Sequence, residues 1–148
     1  MKQINISFSK KAVFDEVSLK TAYTGAKNTA CSDCFSRIST VNDDDEILSC
    51  YWKTACGEIT DKLRAFLTGC QISDNNFNMI LEVSGAYDEA LTPWVESDLF
   101  DTLVASVTAA WFRLSLPENA GEHELKALTL LQRAYAKLCQ RRRPQRNG

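Results

Sequence analysis

The chain has 148 residues, of which 45% are apolar and 24% charged, a composition typical of one soluble globular domain. Three prolines and six glycines argue against a collagen-like chain and against long flexible linkers. No apolar run reaches the roughly 18 residues of a transmembrane helix. The first residues lack the apolar stretch of a signal peptide, so we expect a protein of the reducing cytosol.

The charge is unevenly distributed along the chain. The net charge is −2, from 17 basic and 19 acidic residues, but the last sixteen residues hold six of the basic residues and no acidic one. A basic tail on an acidic body can bind nucleic acid, an acidic protein surface or the acidic face of a second copy. The alternative interpretation is a solvated helix end, because basic side chains also favour the C-terminal end of a helix dipole.

The six cysteines include the pair Cys31-Ser-Asp-Cys34. A structural zinc site needs a second such pair or histidines, but His123 is the only histidine in the sequence. A redox pair is expected at a strand-to-helix turn of a βαβ unit, and no such unit is visible. We therefore expect no metal and no cofactor, and we interpret the cysteines as thiols that pack like small apolar side chains.

The N-terminal part is predicted to hold a strand and a helix. Residues 3–8 alternate between polar and apolar and predict a short extended segment. Ser9 is a candidate N-cap for a helix over residues 10–24, which Gly25 is expected to end. The polar stretch 26–41 is expected to be a loop. The apolar face of this helix consists of Val13, Phe14, Val17 and Tyr23.

The first long helix is predicted over residues 42–68. Asn42 is its candidate N-cap, and the run Asp43-Asp44-Asp45-Glu46 would place negative charge in the first turn, where it interacts favourably with the helix dipole. Because consecutive carboxylates fan around a helix axis, we interpret this run as a helix start and not as a metal site. Gly69 stands where a glycine commonly ends a helix. The apolar stripe comprises Ile47, Leu48, Tyr51, Trp52, Ala55, Ile59, Leu63, Phe66 and Leu67.

A turn at residues 74–76 is expected to precede a strand at residues 77–83, in which the odd-numbered residues are apolar. This strand would pair with residues 3–8 or offer an edge to a second copy.

Two further long helices are predicted, over residues 93–115 and 120–142. Thr92 is the candidate N-cap of the first and Pro93 its first helical residue. Apolar residues surround most of that helix, so we expect it to be central, with the last helix packed antiparallel against it. Asn119 has capping-box spacing for the last helix. Trp94 lies off the apolar stripe and is the best aromatic candidate for an interface.

The predicted fold class is therefore mainly α, with three long helices, a shorter N-terminal helix and minor β-strand. We expect a single helical domain at residues 1–140, made of an N-terminal extension (1–41) and a helical core (42–140). Residues 141–148 form a basic tail. The sequence has no glycine-rich phosphate loop and no G-x-S-x-G motif, and one histidine excludes most acid–base schemes. We do not expect an enzyme.

Three segments of the sequence resemble a known family. The acidic entry Asp43-Asp44-Asp45-Glu46 and the helix through Leu67-Thr68-Gly69 resemble the first long helix of the helical head–tail connector (adaptor) proteins of tailed phages. Residues 99–114, with Ala-Trp-Phe-Arg at 110–113, are similar to that family's second long helix, and the last helix also has a basic end. Residues 6–27 are similar to small structural proteins of phages of gut Bacteroidales, including crAss-like phages.

This resemblance implies a structural virion protein without catalysis. The chain would form a homo-oligomeric ring of about twelve copies through heterologous contacts. The ring would lie in the neck between the portal and the tail, next to other neck or tail proteins, after assembly in the host cytoplasm. DNA would pass through its channel without sequence-specific contacts, and no membrane would be involved. The residues expected to bind partners are Arg141, Arg142, Arg143, Arg146, Asp43, Asp44, Asp45 and Trp94.

The alternative function is that of a small helical nucleic-acid-binding regulator. Arg141, Arg142, Arg143 and Arg146 would then contact phosphates, although the rest of the chain is acidic. A third alternative is a zinc or redox protein built on Cys31 and Cys34.

Overall fold

A computed structural model describes residues 1–27 and 44–142. The fold of these residues is mainly helical with a small antiparallel sheet, which confirms the predicted fold class. One 3₁₀ turn, Glu89–Leu91, precedes the third helix. The elements in chain order are β1 (Lys2–Ser9), α1 (Lys10–Lys27), α2 (Asp45–Lys62), β2 (Leu67–Ile72), β3 (Asn76–Val83), α3 (Thr92–Ser115) and α4 (Pro117–Cys139).

The sheet has the strand order β1-β3-β2, and all neighbours are antiparallel. The pairing of β1 with β3 runs from Lys2 opposite Val83 to Ser9 opposite Asn76. One face is buried and the other is polar, as the alternation of both segments predicts. The predicted strand at residues 77–83 is confirmed, but it is the central strand and offers no edge to a second copy. The buried residues of β1 and β3 are Ile6, Phe8, Phe77, Met79, Leu81 and Val83.

The third strand, β2, is a correction to the predicted helix over residues 42–68. The helix α2 ends at Lys62, and Phe66 and Leu67 lie beyond it. Leu67 begins a strand that pairs with β3, and a register shift lies between Leu67 and Gly69. Gly69 is not a helix cap: a Cβ atom there would lie 3.3 Å from Cδ1 of Ile80. Glycine therefore allows β2 to approach the Ile80 side chain closely.

The helix α1 is longer than predicted. It continues through Gly25 and ends at Lys27. Val13, Val17, Thr21 and Gly25 recur every fourth residue on its buried side, so Gly25 continues the packing face and does not end the helix. Tyr23, which was assigned to the apolar face, is exposed. At the N-terminus of α1 the predicted N-cap Ser9 is confirmed, since the backbone N–H of Ala12 donates to Oγ of Ser9 at 3.4 Å.

The helices α3 and α4 pack antiparallel, as predicted. Lys137, near the end of α4, pairs with Asp98 near the start of α3, and Arg113, near the end of α3, pairs with Glu124 near the start of α4. Only Leu116 separates the two helices. The helix α4 begins three residues earlier than predicted, at Pro117, because proline suits the first helical position.

Two predicted caps are also corrected in this part of the chain. The Asn119 capping box is not formed, since Asn119 lies inside α4 and no side-chain cap hydrogen bond is present at its start. Thr92 is the first residue of α3, and Leu91 occupies the N-cap position.

The buried apolar residues form one cluster. The helices α1 to α4 and the strands β1 and β3 all contribute to it. Trp52 of α2 makes an edge-to-face contact with Phe77 of β3 and another with Phe14 of α1. Phe8 of β1 lies 6.5 Å from Phe100 of α3, measured between ring centroids. The helix α3 is central, as predicted: it packs against α1, α2, α4 and β1. The core therefore ties the N-terminal strand and helix to the rest of the chain.

Thr108 of α3 should be a stabilising position for valine. Within the described part of the chain, its hydroxyl is a buried side-chain oxygen without a hydrogen-bond partner. Burial without a partner costs free energy, so Thr108→Val is expected to raise the free energy of unfolding by about 1 kcal/mol. The matched control is Thr102→Val on the same helix, where the buried hydroxyl donates to Asp98 O at 2.7 Å. The free energy of unfolding of that variant, measured by urea unfolding, should fall by about 1 kcal/mol. Equal changes in the two variants would contradict the conclusion that the Thr108 hydroxyl has no partner.

None of the helices in the described ranges is long and apolar enough to span a membrane.

Candidate interaction surfaces

The chain beyond α4 is tied back to the body of the protein. Arg141 forms an isolated antiparallel bridge with Tyr87, and the backbone N–H of Arg142 donates to Ala86 O at 2.6 Å. Both arginine side chains are exposed. Arg143 and Arg146 lie outside the described residues, and their role stays a prediction. We refer to the exposed side chains of Arg141 and Arg142 as the arginine end.

Buried contacts of Tyr87 hold the backbone beneath the arginine end. Tyr87 is buried, and its hydroxyl lies 3.1 Å from that of Thr92. Burial raises the pKa of Tyr87 above its ordinary value. The ammonium group of Lys2 donates to Tyr87 O at 3.5 Å and pairs with Glu89 at 3.4 Å. The two arginines are therefore displayed from a fixed backbone.

At the acidic entry of α2, Asp45 and Glu46 are exposed and Asp44 is half-buried. Asp44 occupies the N-cap position without a side-chain cap hydrogen bond, and Asp45 and Glu46 lie in the first turn. Negative charge there interacts favourably with the helix dipole, as predicted, although the helix begins at Asp45. Asn42 and Asp43 lie outside the described residues. We refer to Asp44, Asp45 and Glu46 as the acidic end.

The arginine end and the acidic end lie at opposite ends of the sheet. Ser49 of α2 accepts a hydrogen bond from Lys10 at 3.2 Å, which places the start of α2 beside Ser9 and Asn76. Ala86, which holds Arg142, comes just after the opposite end of β3. An eight-residue strand such as β3 is about 24 Å long, so about that distance separates the two surfaces.

Trp94 projects from the first turn of α3 and is 64% exposed. It follows closely after Thr92, whose hydroxyl contacts Tyr87, so Trp94 belongs to the same end of the molecule as Arg141. The role of Trp94 at an interface stays a prediction. An exposed tryptophan beside charged residues is typical of an interface.

A groove lies between α2, α3 and α4, with a volume of about 500 Å³. We refer to it as the helix groove. Its floor is made of small side chains, which keep it open: Ala55, Ser106, Ala109 and Ala110. Tyr51 of α2 and Leu128 of α4 lie along its walls. No sequence pattern predicted this groove, although the small residues Ser106, Ala109 and Ala110 of α3, which line it, are the signal that could have indicated it.

Polar groups lie at the open end of the helix groove. Arg113 and Glu124 line it and form an ion pair, and Glu58 lines the α2 side. At the other end, Tyr135 of α4 packs against Phe66, with ring centroids 5.6 Å apart, and under the ammonium group of Lys62. Lys62 is the last residue of α2 and Phe66 follows it, so this contact closes the groove on the side of the arginine end, and the end with Arg113 and Glu124 lies towards the acidic end.

The described cysteines differ in accessibility. Cys56 is buried, while Cys50, Cys70 and Cys139 are exposed. Burial raises the pKa of Cys56 to about 12, so this thiol is a packing residue of low reactivity. Cys31 and Cys34 lie outside the described residues. Within residues 1–27 and 44–142, no three His, Cys, Asp or Glu side chains are grouped as metal ligands.

His123 should give the protein a pH-dependent stability. Its ring packs against Phe112, with centroids 5.1 Å apart, and burial lowers its pKa. Lys126 and Lys20 act in the same sense and Glu122 opposes them. Because the folded state favours the neutral ring, the unfolded state takes up the proton first as the pH falls. This contribution is complete above about pH 6.5 and is lost progressively at lower pH.

The measurement for His123 is urea unfolding at a series of pH values from about 7.5 to about 5.5. The His123→Gln variant should show a weaker dependence on pH over this range than the natural protein. Identical slopes of the free energy of unfolding against pH in the two proteins would contradict the assignment of this pH dependence to His123.

Comparisons with protein-family models, with curated proteins and with solved structures give no match to this chain.

Proposed function

We propose that the protein is a structural subunit that assembles with copies of itself head to tail, as a ring in the neck of a tailed-phage virion. The resemblance of its long helices to head–tail connector proteins supports the phage setting. The separation of the arginine end from the acidic end is the observation that carries the self-assembly.

The two charged surfaces cannot interact within one chain. Their separation of about 24 Å exceeds the Debye length of about 8 Å at physiological ionic strength. Two copies in a head-to-tail arrangement bring Arg141 and Arg142 of one copy next to Asp44, Asp45 or Glu46 of the next. Such a contact is heterologous, and repeated contacts of this kind close into a ring when the rotation between copies allows it.

The chemistry of the arginine end suits carboxylate partners. Guanidinium groups form two parallel hydrogen bonds with a carboxylate. The backbone of Arg141 and Arg142 is already held by Ala86 and Tyr87, so little backbone entropy is lost on binding. The portal protein and neighbouring neck or tail proteins are further partners for the same surface.

The nucleic-acid-binding alternative is less well supported by the charges around Arg141. Asp88, Glu89 and Glu96 all lie close enough to act on Tyr87, which pairs with Arg141. These carboxylates repel the continuous row of phosphates that a sequence-independent DNA contact needs, whereas a single incoming carboxylate can pair with an arginine at short range. In the proposed ring, DNA passes through the channel without sequence-specific contacts.

The test is a charge-reversal series followed by sedimentation velocity and electron microscopy. The natural protein should self-associate as its concentration rises and less so at high salt. The double variant Arg141→Glu, Arg142→Glu should be weakened, and so should Asp45→Lys, Glu46→Lys. A chain that carries all four substitutions should associate again, because the charges are exchanged and still complementary.

Arg133→Glu is the control, because it makes the same type of charge reversal, at one residue, on α4 at an exposed position before the arginine end. It should leave assembly unchanged. A natural protein that stays monomeric at every concentration, but binds DNA with a steep salt dependence, would contradict the proposal and favour the regulator. A portal gene upstream and tail genes downstream are expected in the genome.

A further inference from the structure

The helix groove has the properties of a binding pocket for a large apolar side chain. Its volume of about 500 Å³ lies within the range of about 300–1,000 Å³ found for ligand pockets. The floor presents methyl groups and the Ser106 hydroxyl, and the Tyr51 ring lines one wall. Leu128, on the other wall, is largely exposed, so a ligand in the groove would cover an apolar side chain that now faces solvent.

Trp94 is the side chain on this protein that fits such a pocket. It is the largest of the exposed apolar side chains of the described residues, and tryptophan is enriched among residues that dominate binding energies. It does not line the groove of its own chain. Leu114, at the open end of that groove, lies 20 residues further along α3, or about 30 Å along the helix axis.

We infer that the helix groove of one copy receives Trp94 of the next copy; this contact rests on the proposed head-to-tail assembly and names its central residue. Both surfaces are placed for it. Trp94 lies at the end of the molecule that carries Arg141, and the groove opens towards the end that carries Asp45. One head-to-tail contact therefore brings together a projecting indole with a groove, and arginines with carboxylates.

The polar groups of the groove suit the indole and its surroundings. The indole N–H is a donor, and Glu58, Thr54 and Ser106 line the groove with oxygen acceptors. Glu58 is exposed and keeps a carboxylate at the margin of the groove. An apolar centre surrounded by charged groups is the usual arrangement of a specific interface.

The test uses one variant that removes the projecting side chain and two that block the groove. Trp94→Ala should weaken self-association about 30-fold, the effect of losing a central tryptophan contact. Thr54→Trp places a large side chain at an exposed position that lines the groove, and Leu128→Arg places a charge there. Both should weaken association to a similar extent. Urea unfolding checks that each variant is folded.

Mixing the variants gives the decisive measurement. Trp94→Ala retains an intact groove and Thr54→Trp retains Trp94, so an equimolar mixture should form one good contact and give a one-to-one dimer. Neither protein alone should form that dimer, and the mixture should not grow further. Leu125→Ala is the control, because Leu125 is exposed and does not line the groove.

The outcomes separate this contact from the proposed function. If Trp94→Ala assembles like the natural protein while the charge reversals prevent assembly, the Trp94 contact is wrong and the head-to-tail ring stands. If only the groove variants fail to assemble, another segment fills the groove and the inference is again overturned. A folded pair of variants that does not form the mixed dimer would also overturn it. A natural protein that never associates overturns both.

Discussion

Replacing Trp52 with alanine is expected to lower the free energy of unfolding by about 3–5 kcal/mol. Trp52 has no exposed surface and makes edge-to-face contacts with Phe14 and Phe77. Its indole N–H also donates to Ser73 O, at the turn between β2 and β3, at 3.4 Å. The alanine variant loses contacts with α1, with the sheet and with this turn at once, and urea unfolding measures the loss.

Two variants sharpen the Trp52 experiment. Trp52→Phe keeps an aromatic ring and should lose about 1–2 kcal/mol. Trp94→Ala removes the same side chain from an exposed position and should change stability by less than about 0.5 kcal/mol. A small loss in Trp52→Ala would contradict the packing of α2 on the sheet.

Trp111→Ala should have a cost of the same order, about 3–5 kcal/mol, for a different reason. Trp111 is 9% exposed and lies near the C-terminal end of α3 within the common apolar cluster. Its removal leaves a cavity along the central helix, away from the turn that Trp52 supports. Thermal and urea unfolding should both show the loss, with the m-value unchanged.

The control for Trp111 is Leu114→Ala, one turn further along α3, where the leucine is 64% exposed. It should cost less than about 0.5 kcal/mol. If both variants had equally small effects, Trp111 would not be a core residue of the isolated chain, and its role would have to lie at an interface.

The first two residues of the C-terminal segment 141–148 have backbone contacts with the rest of the protein. The arginines of the basic tail, residues 141–148, are predicted from the sequence to bind partners. The bridge between Arg141 and Tyr87 and the hydrogen bond of Arg142 to Ala86 give the first two residues a structural role as well. The side chains of both arginines are nevertheless exposed, so substitutions there act on assembly while the backbone contacts remain.

The sequence by itself determined the presence of the four helices and of two of the three strands. Periodicity is a local property: apolar residues every three or four positions need one buried face, and strict alternation at residues 77–83 needs a half-buried strand. These patterns do not depend on which element lies next to which.

Only the tertiary structure decided the third strand, the anchored tail and the helix groove. The segment Leu67–Ile72 lacks a clean alternation because the register shift after Leu67 interrupts it, and its pairing with β3 overrides the helical pattern that precedes it. Arg141 is held by Tyr87, which is distant in sequence. The helix groove exists because Lys62 at the end of α2 and Phe66 just beyond it contact Tyr135 of α4, while small residues of α3 leave space at Ser106 and Ala110. Such space depends on how three helices pack together, which no local pattern specifies.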